Sequence, residues 1–276
     1  MICFPTCKIN LGLRITNKRA DGFHALETVF FPISIKDALE IIIEPDTNAA
    51  PISFTSSGLA INGDPSDNLC FKAYGLLKKD YPTIPNIKMH LHKTIPMGAG
   101  LGGGSADGAF TLVALNQLFN LQLSVDKLIQ YALTLGSDCP FFIINTPAFA
   151  TGRGEILNPI NVNLDGYRIV IVNPGIAISS KLAFSLITPQ VPDTNMEAVI
   201  CDPVTSWKEN LINDFEAPIF NSFSEIANIK ETLYQKGAVY ASMTGTGSTV
   251  YGIFPTSIID TLDFDFPTHY FVATSS

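Results

Sequence analysis

The stretch that decides the fold is Pro96-Met97-Gly98-Ala99-Gly100-Leu101-Gly102-Gly103-Gly104-Ser105-Ala106. It joins a predicted strand, Ile87–His92, to a predicted helix, Ser105–Phe119. Glycines lack a Cβ atom, so their backbone N–H groups can turn toward an anion and approach it closely. The helix adds unpaired first-turn N–H groups and the positive end of its dipole. The loop is therefore predicted to bind phosphate, with Ser105 as a ligand of Mg²⁺ or of a phosphate oxygen.

Three other interpretations of this loop agree less well with the sequence. A Walker A loop needs Lys before the Ser or Thr, and Gly104 stands there instead. The spacing of Gly98, Gly100 and Gly103 satisfies the dinucleotide-binding pattern, but that pattern needs a following strand and a later acidic residue. Here a second helical segment, Gln122–Leu135, comes next. A flexible structural turn does not explain five glycines at a strand–helix junction.

Outward from the loop, β-branched and aromatic runs alternate with helical spacing. The predicted helices besides Ser105–Phe119 are Asn68–Lys79 and Ser124–Leu135. The remaining predicted strands are Ile9–Ile15, Thr28–Ile35, Leu39–Ile43, Tyr167–Val172, Ala238–Met243 and Thr249–Phe254. The segment Asn158–Asp165 is expected to form a loop and a sheet edge. The segment Thr188–Trp207 is expected to form connections and short helices. This mixture predicts an α+β fold in two lobes, with domains at residues 1–157 and 158–276.

Composition narrows the function classes. The chain has 276 residues, 46% of them hydrophobic and 15% charged, and a formal charge of −8. That charge argues against nucleic acid as a partner, because such binding depends on Lys and Arg meeting phosphates. No apolar run approaches the roughly 20 residues that span a bilayer, so no membrane is expected. The five cysteines form no C-x-x-C pair, and reduced thiols in the cytoplasm fit them best.

Other polar residues carry less specific signals. Asp138 lies between a helix end and the apolar run Cys139–Ile144, where a charge is costly without a purpose, yet a helix N-cap explains it equally well. His90 and His92 share a strand face, but no third metal ligand is evident and a solvated face is favoured. Cys139 is interpreted as a small buried hydrophobe. The turn Thr244–Ser248 is typical of a plain β-hairpin.

Three motifs together resemble the GHMP kinases, in order and in spacing across nearly the whole chain. They are Pro5-Thr6-Cys7-Lys8-Ile9-Asn10-Leu11, the glycine loop, and Met243-Thr244-Gly245-Thr246-Gly247-Ser248. Further segments resemble one branch of that family, whose substrate is a cytidine diphosphate-linked methylerythritol of the non-mevalonate isoprenoid pathway. These segments lie at residues 18–24, 67–69, 135–142 and 151–157.

The resemblance implies a two-lobed α+β fold with the active site in the cleft between lobes, ATP bound by the N-terminal domain, and Mg²⁺. It makes Asp138 the general base and Lys8 its orienting cation. The nucleotide would lie beside Asn68, Lys93 and the loop Pro96–Ala106. The substrate would meet Asn10, Phe23, His24, Ser180, Phe184 and Gly245, with cytosine between Phe23 and Phe184 and its edge on His24. The family commonly has Tyr where this chain has Phe23, and a second Ser where it has Ala106.

Alternatives stay open at this point. Another kinase of the family would act on homoserine, mevalonate or a sugar and would not need an aromatic sandwich around cytosine. A catalytically silent nucleotide-binding protein is a second alternative, which the intact Lys8, Ser105 and Asp138 disfavour. A nicotinamide-dependent oxidoreductase ranks last, because of the missing strand after the first helix. The chain is expected to be a monomer or a homodimer.

Overall fold

The structure, a computed structural model, describes residues 1–46, 48–61, 63–192 and 194–275. Within these residues the chain forms three four-stranded sheets and ten α-helices, so the predicted α+β class is confirmed. Two compact units are built from segments that alternate along the chain. Unit 1 contains Met1–Cys7, Ile35–Met97 and Gly102–Asn145, and unit 2 contains Lys8–Ser34, Gly98–Leu101 and Thr146–Ser276.

The strands, in chain order, are β1 Ile2–Cys3, β2 Thr6–Lys18, β3 His24–Lys36, β4 Ala38–Ile43, β5 Ile52–Gly58, β6 Ile87–Lys93, β7 Ala148–Thr151, β8 Ile156–Pro159, β9 Tyr167–Asn173, β10 Tyr240–Met243, β11 Val250–Pro255 and β12 Phe271–Ser275. The helices are α1 Leu69–Asp80, α2 Gly103–Leu118, α3 Val125–Leu135, α4 Cys139–Ile144, α5 Ser180–Ser185, α6 Met196–Cys201, α7 Trp207–Asn210, α8 Glu216–Ser222, α9 Ser224–Gln235 and α10 Thr256–Ile259. Two short 3₁₀ helices span Pro65–Asp67 and Val204–Ser206.

The sheet of unit 1 has the order β1-β4-β6-β5, with β5 and β6 parallel and the other pairs antiparallel. Strand β6 shows the two-residue period of a half-covered sheet: Ile87, Met89 and Leu91 are buried, while Lys88 and His92 are exposed. Helix α2 contacts α1, α3, α4 and the strands β1 and β4. The start of α2 is therefore held by a packed core.

Unit 2 contains the sheet of order β10-β11-β9-β12, in which β9 pairs antiparallel with both β11 and β12. Strands β2 and β3 belong mainly to this unit. They are the first two strands of the third sheet, which has the order β2-β3-β7-β8. A buried cluster in unit 2 joins β9 to α8 and α9. It includes Val170 and Val172 of β9, Phe215 just before α8, Ile219 of α8, and Ile226, Ile229 and Leu233 of α9. This core supports the hairpin of β10 and β11, which carries the second glycine turn.

Most predicted elements are confirmed. Helix α1 begins after Asn68, whose side chain accepts from the Cys70 N–H at 2.9 Å, and α3 begins after Ser124, which caps Lys127. All of the predicted strands are found, and their ends differ from the predicted ones by at most four residues. Between Thr188 and Trp207 the structure has α6 and a 3₁₀ helix, as expected, and position 193 lies outside the described residues. Of the helices in the described segments, none has the length and apolar content to cross a membrane.

Candidate active site

Lys8 and Asn10 form the polar centre of unit 2. They are two residues apart on β2 and so share a face of the strand. The Lys8 ammonium donates to Asn10 Oδ1 at 2.6 Å and to the Gly100 carbonyl at 3.1 Å. It also lies 5.0 Å from the centre of the Phe30 ring, within cation–π range. Both polar residues are almost fully buried, at 3% and 1% exposed. Their side chains are therefore held in one geometry.

The orientation of the Asn10 amide follows from its neighbours. Its Nδ2 donates to Thr28 Oγ1 at 2.9 Å, and Thr28 Oγ1 in turn donates to the Gly12 carbonyl at 2.5 Å. Because the single proton of Thr28 is used on Gly12, the hydroxyl must accept from Asn10. The Asn10 oxygen consequently faces Lys8 and the Thr244 hydroxyl, which lies 3.2 Å away. Thr28 was not identified from the sequence.

The loop residue Gly100 contacts the second glycine turn within unit 2. Its φ is +79°, and a Cβ there would lie 2.2 Å from the Thr244 carbonyl oxygen. Thr244 Oγ1 donates to the Gly100 carbonyl at 3.2 Å, and a Cβ on Gly245 would lie 3.2 Å from the same oxygen. Only glycine fits at position 100. Lys8, Asn10, Gly100 and Gly245 are thus brought together, as the three motifs predicted. The turn joins the antiparallel strands β10 and β11, so the predicted β-hairpin is confirmed.

Two buried polar residues, Asn213 and Glu216, hold the second glycine turn and the residues just before it. Neither residue was identified from the sequence. Asn213 Nδ2 donates to the carbonyls of Met243, at 2.7 Å, and Gly245, at 3.0 Å. Glu216 Oε1 accepts from the Met243 N–H at 2.7 Å and from the Ser242 hydroxyl at 3.0 Å. No local pattern marks these residues, because their partners lie about 30 positions away in the sequence.

In unit 1, helix α2 begins at Gly103, two residues before the predicted start. Its N-cap, Gly102, has φ +71° and offers no capping side chain. The first intrahelical bond runs from the Ala106 N–H to the Gly102 carbonyl at 2.9 Å, so the N–H groups of Gly103, Gly104 and Ser105 precede the helical ladder. These three donors lie at the helix end where the glycine pattern predicts anion binding.

The same unit brings Ser105 to the start of α4. Its hydroxyl is within hydrogen-bonding reach of the Cys139 thiol, and α2 packs against α4. Burial raises the pKa of that thiol to about 12, which makes Cys139 a poor nucleophile and agrees with its interpretation as a buried hydrophobe. Asp138 is half-buried and occupies the N-cap position of α4, but its side chain makes no capping hydrogen bond. The Asp138 carboxylate therefore does not cap α4, which was the structural alternative to a catalytic role.

Lys93 and Asn68 occupy different environments in unit 1. The Lys93 ammonium is buried between Asp37, at 2.5 Å, and Asp107, at 2.7 Å. Burial acts to lower its pKa, but the two carboxylates outweigh burial and raise it. Asn68 is half-buried at the start of α1, where its side-chain oxygen serves as a cap. Sequence alone predicted neither Asp37 nor Asp107 as partners of Lys93.

The aromatic residues Phe23, His24 and Phe184 of unit 2 make two separate contacts. The His24 ring stacks on Phe184, with centroids 5.0 Å apart and planes at 18°. Phe23 is 55% exposed, and the guanidinium carbon of Arg153 lies 4.9 Å from its ring centre. Ser180 is exposed at the start of α5. His24 and Phe184 are thus brought together, while the aromatic partner of Arg153 is Phe23.

The histidine pair on β6 makes hydroxyl contacts. Ser57 Oγ lies 2.9 Å from both His90 Nε2 and His92 Nδ1, and Thr55 Oγ1 lies 2.8 Å from His90 Nδ1. Both nitrogens of His90 are therefore engaged by hydroxyl groups. In the part of the chain that the structure describes, no group of three or more His, Cys, Asp or Glu residues is placed to hold a metal ion.

Comparison with known proteins gives consistent results. The family model described as "GHMP kinases N terminal domain" matches residues 68–152, and "GHMP kinases C terminal" matches residues 205–261. A protein of Bacteroides fragilis named 4-diphosphocytidyl-2-C-methyl-D-erythritol kinase is 50% identical over 266 residues, which is 96% of either chain. One of the same name from Bacteroides thetaiotaomicron is 52% identical over 254 residues, 92% of either chain.

A solved structure is also similar to this chain. The crystal structure of a 4-(cytidine 5'-diphospho)-2C-methyl-D-erythritol kinase matches with a TM-score of 0.80 and 28% sequence identity. The match covers 100% of this chain and 99% of that one. Similarity in sequence and similarity in fold therefore lead to the same group of enzymes.

Proposed function

Because the chain belongs to the GHMP kinase family and is a small-molecule kinase, we propose that it uses ATP to phosphorylate the 2-hydroxyl of 4-diphosphocytidyl-2-C-methyl-D-erythritol. The observation that carries the proposal is 50% identity, over 96% of both chains, to a kinase of that name. In this role the protein supplies one step of the non-mevalonate isoprenoid pathway. It acts in the cytoplasm, as a monomer or a homodimer.

ATP is held through its phosphates by the glycine loop, Pro96–Ala106. The N–H groups of Gly103, Gly104 and Ser105 at the start of α2 support this assignment, since they precede the helical ladder. Asn68, at the start of α1, lies beside the nucleotide. A protein with net charge −8 needs such local donors to hold a polyphosphate.

Asp138 accepts the proton of the attacking hydroxyl, and Lys8 stabilises the negative charge that develops. Phosphoryl transfer needs alignment and charge neutralisation more than covalent chemistry, so one carboxylate and one fixed cation are sufficient protein groups. Two observations support these roles. The Asp138 side chain is not used as a helix cap, and the Lys8 ammonium is fixed by a neutral amide and a carbonyl.

Mg²⁺ is the metal proposed for this reaction. Mg²⁺ at such sites is bound by few protein ligands and by the phosphates of the nucleotide. The half-buried Ser105 hydroxyl beside the N-terminal end of α2 fits that limited role. When bound, the metal neutralises charge on the transferring phosphate.

The cytosine base is recognised by Phe23, His24 and Phe184, with Asn10, Ser180 and Gly245 lining the rest of the substrate site. The exposed Phe23 ring offers a stacking surface. In the structure His24 covers one face of Phe184, so a base that stacks on that face displaces the imidazole. The released His24 then has its ring nitrogens available to the edge of the base.

The decisive experiment is a coupled ADP-release assay with Mg-ATP and 4-diphosphocytidyl-2-C-methyl-D-erythritol. Homoserine, mevalonate and galactose serve as parallel substrates. We expect turnover with the cytidine substrate alone. Turnover with one of the other three would keep the kinase chemistry and overturn the substrate. Silence with all four, together with measurable ATP binding, would favour a nucleotide-binding protein without catalysis.

A further inference from the structure

Glu216, at the start of α8, is a buried carboxylate of unit 2 that has no part in the chemistry proposed above. It is 8% exposed. Three donors surround it. Its Oε1 accepts from the Met243 N–H at 2.7 Å and from the Ser242 hydroxyl at 3.0 Å, and its Oε2 accepts from the Lys230 ammonium at 2.6 Å. An ionised carboxylate at this depth is costly without such donors. The places of the three donors in the fold give a reason for the charge.

The donors belong to two different elements. Lys230 is part of α9, which is anchored in the core of unit 2 by Ile226, Ile229 and Leu233. These three side chains recur at helical spacing, so one face of α9 is buried and the helix is held in place. The other two donors belong to the last two residues of β10, immediately before the second glycine turn. The Glu216 carboxylate therefore connects an anchored helix to the start of that turn.

The Asn213 amide acts on the same point of the chain. Its Nδ2 donates to the carbonyls of Met243, at 2.7 Å, and Gly245, at 3.0 Å, and its Oδ1 accepts from the Phe215 N–H at 3.0 Å. The N–H of Met243 is thus bonded to Glu216, and its carbonyl is bonded to Asn213. Both backbone polar groups of the residue that enters the turn are held by side chains.

Thr244, the next residue, carries this constraint to Lys8. The Thr244 hydroxyl accepts from the Asn10 N–H at 3.0 Å, and it lies 3.2 Å from both the Asn10 Oδ1 and the Gly100 carbonyl oxygen. Those two oxygens also accept from the Lys8 ammonium, at 2.6 Å and 3.1 Å. A shift of Met243 would therefore move the Thr244 hydroxyl, and with it the two acceptors that orient the ammonium.

We propose that Glu216, held by Lys230, is a positioning residue for Lys8 and acts through Met243 and Thr244. The carboxylate fixes the end of β10, the end of β10 fixes the turn hydroxyl, and that hydroxyl fixes the acceptors of the Lys8 ammonium. Phosphoryl transfer depends on the alignment of such groups, and a displacement of about 1 Å can cost about 10²-fold in rate. The inference rests on the proposed function, because it takes Lys8 as the cation that acts in the reaction.

The test compares two double variants that differ in one acceptor oxygen. Glu216→Gln/Lys230→Met removes both charges and keeps an oxygen for the Met243 N–H. Glu216→Leu/Lys230→Met removes both charges and that oxygen as well. Because neither variant leaves a buried charge unpaired, both are expected to fold. We expect kcat for the cytidine substrate to stay near wild type in Glu216→Gln/Lys230→Met and to fall about 10- to 100-fold in Glu216→Leu/Lys230→Met.

Comparison of kcat with ATP affinity separates this role from a purely structural one. The Kd of ATP, measured by calorimetry, should stay near wild type in both double variants, because the phosphate donors proposed above, in residues 103–105, belong to unit 1. The control Glu231→Gln/Lys236→Met removes an exposed and a half-buried charge at the end of α9 and should keep kcat. An equal kcat in the two Glu216 variants, whatever their melting temperatures, would overturn the inference. A loss of ATP affinity as large as the loss of kcat would also overturn it.

Hydrogen exchange followed by NMR tests the hold on the turn without substrate. In wild type, the N–H groups of Met243 and Asn10 should exchange about as slowly as those of β9. In Glu216→Leu/Lys230→Met, both should exchange faster, while the β9 amides change little. Fast exchange of both groups in wild type would overturn the inference, even if a double variant did not fold. If wild type had no turnover with the cytidine substrate, the proposed function would fail, and the exchange rates would still decide whether Glu216 holds the turn.

Discussion

The Lys8 ammonium donates to the side-chain oxygen of Asn10 at 2.6 Å, and both side chains are buried on one face of β2. Lys93, in contrast, lies between two carboxylates. Lys8 thus donates to an amide oxygen and a backbone carbonyl of unit 2, and Lys93 donates to two carboxylates of unit 1.

Thr28 fixes this geometry, and its removal tests it. Thr28→Val removes the acceptor of the Asn10 amide and leaves a buried donor unpaired, at a cost of about 1–3 kcal/mol in the free energy of unfolding. We also expect kcat to fall, because the amide no longer holds Lys8. The measurements are urea unfolding and steady-state kinetics. Thr28→Ser keeps the hydroxyl and should retain kcat, and equal kcat in both variants would disprove the role of Thr28.

Asp138→Asn tests the proposed base. Amide for carboxylate keeps the size and removes proton acceptance, so we expect kcat to fall about 10²- to 10⁴-fold. Binding of ATP should stay near wild type, because Asp138 is not assigned to the nucleotide. The matched control, Asp165→Asn, changes an exposed carboxylate of unit 2 and should leave kcat unchanged. A near wild-type rate for Asp138→Asn would remove this residue from the chemistry.

Phe23→Ala tests the base-stacking surface. Stacking of a base on an aromatic ring contributes about 1–3 kcal/mol, which corresponds to a rise of about 5- to 150-fold in KM for the cytidine substrate. The control is Phe4→Ala, since Phe4 is 56% exposed and Phe23 is 55% exposed. Phe23→Tyr should behave like wild type, because the ring is kept. If Phe23→Ala and Phe4→Ala changed KM equally, Phe23 would not contact the base.

The two glycines Gly100 and Gly104 separate folding from ligand approach. Gly100→Ala places a Cβ 2.2 Å from the Thr244 carbonyl oxygen at a positive φ, so we expect a marked loss of thermal stability. A Cβ at Gly104 meets no atom within 4 Å. Gly104→Ala should therefore keep its melting temperature yet weaken ATP binding, because the added methyl lies where the phosphate approaches. Unchanged ATP affinity in Gly104→Ala would argue against phosphate contact at this N–H.

Asp107 predicts how stability depends on pH. Burial raises its pKa to about 7 in the folded protein, above the value of about 4 for an unfolded chain, so the folded state binds the extra proton between these limits. The stabilisation from the neutral carboxyl is complete below about pH 4 and is lost as pH rises through about 7. The free energy of unfolding of wild type should thus fall relative to Asp107→Asn between pH 5 and 8, by at most about 1.4 kcal/mol per pH unit. Equal slopes in urea titrations would contradict the raised pKa.

Sequence reasoning succeeded where the signal was local. The sequence predicts that helices start at Asn68 and Ser124, and both residues cap helices in the structure. The glycine loop and Ser105 could be interpreted from elementary backbone chemistry. Helix α4 was missed, because Cys139–Ile144 is short, contains Pro140 and reads as an apolar run. Strand β5 was missed because it is rich in Ser and Thr.

Contacts between residues far apart along the chain could not be predicted from the sequence. The contact of Lys93 with Asp37 spans 56 positions, and that of Asn213 with Met243 spans 30. Neither pair has a pattern that links its members before the chain folds. The stacking of His24 on Phe184 is a further case, because the resemblance supplied both residues but not their contact. The roles of Lys8, Asp138 and the substrate residues stay predictions until the variants are measured.

The alternation of the two units along the chain has a consequence for synthesis. All segments of unit 1 have been made once Asn145 is added. Unit 2 cannot be completed before β12 is synthesised. Ser275 of β12 accepts a hydrogen bond from the Ser34 N–H, 241 positions earlier in the chain. On the ribosome, unit 1 can fold first, while β2 and β3 remain without their later partners. Exposed strand edges of that kind favour aggregation, so this nascent chain is expected to depend on chaperones until β12 emerges.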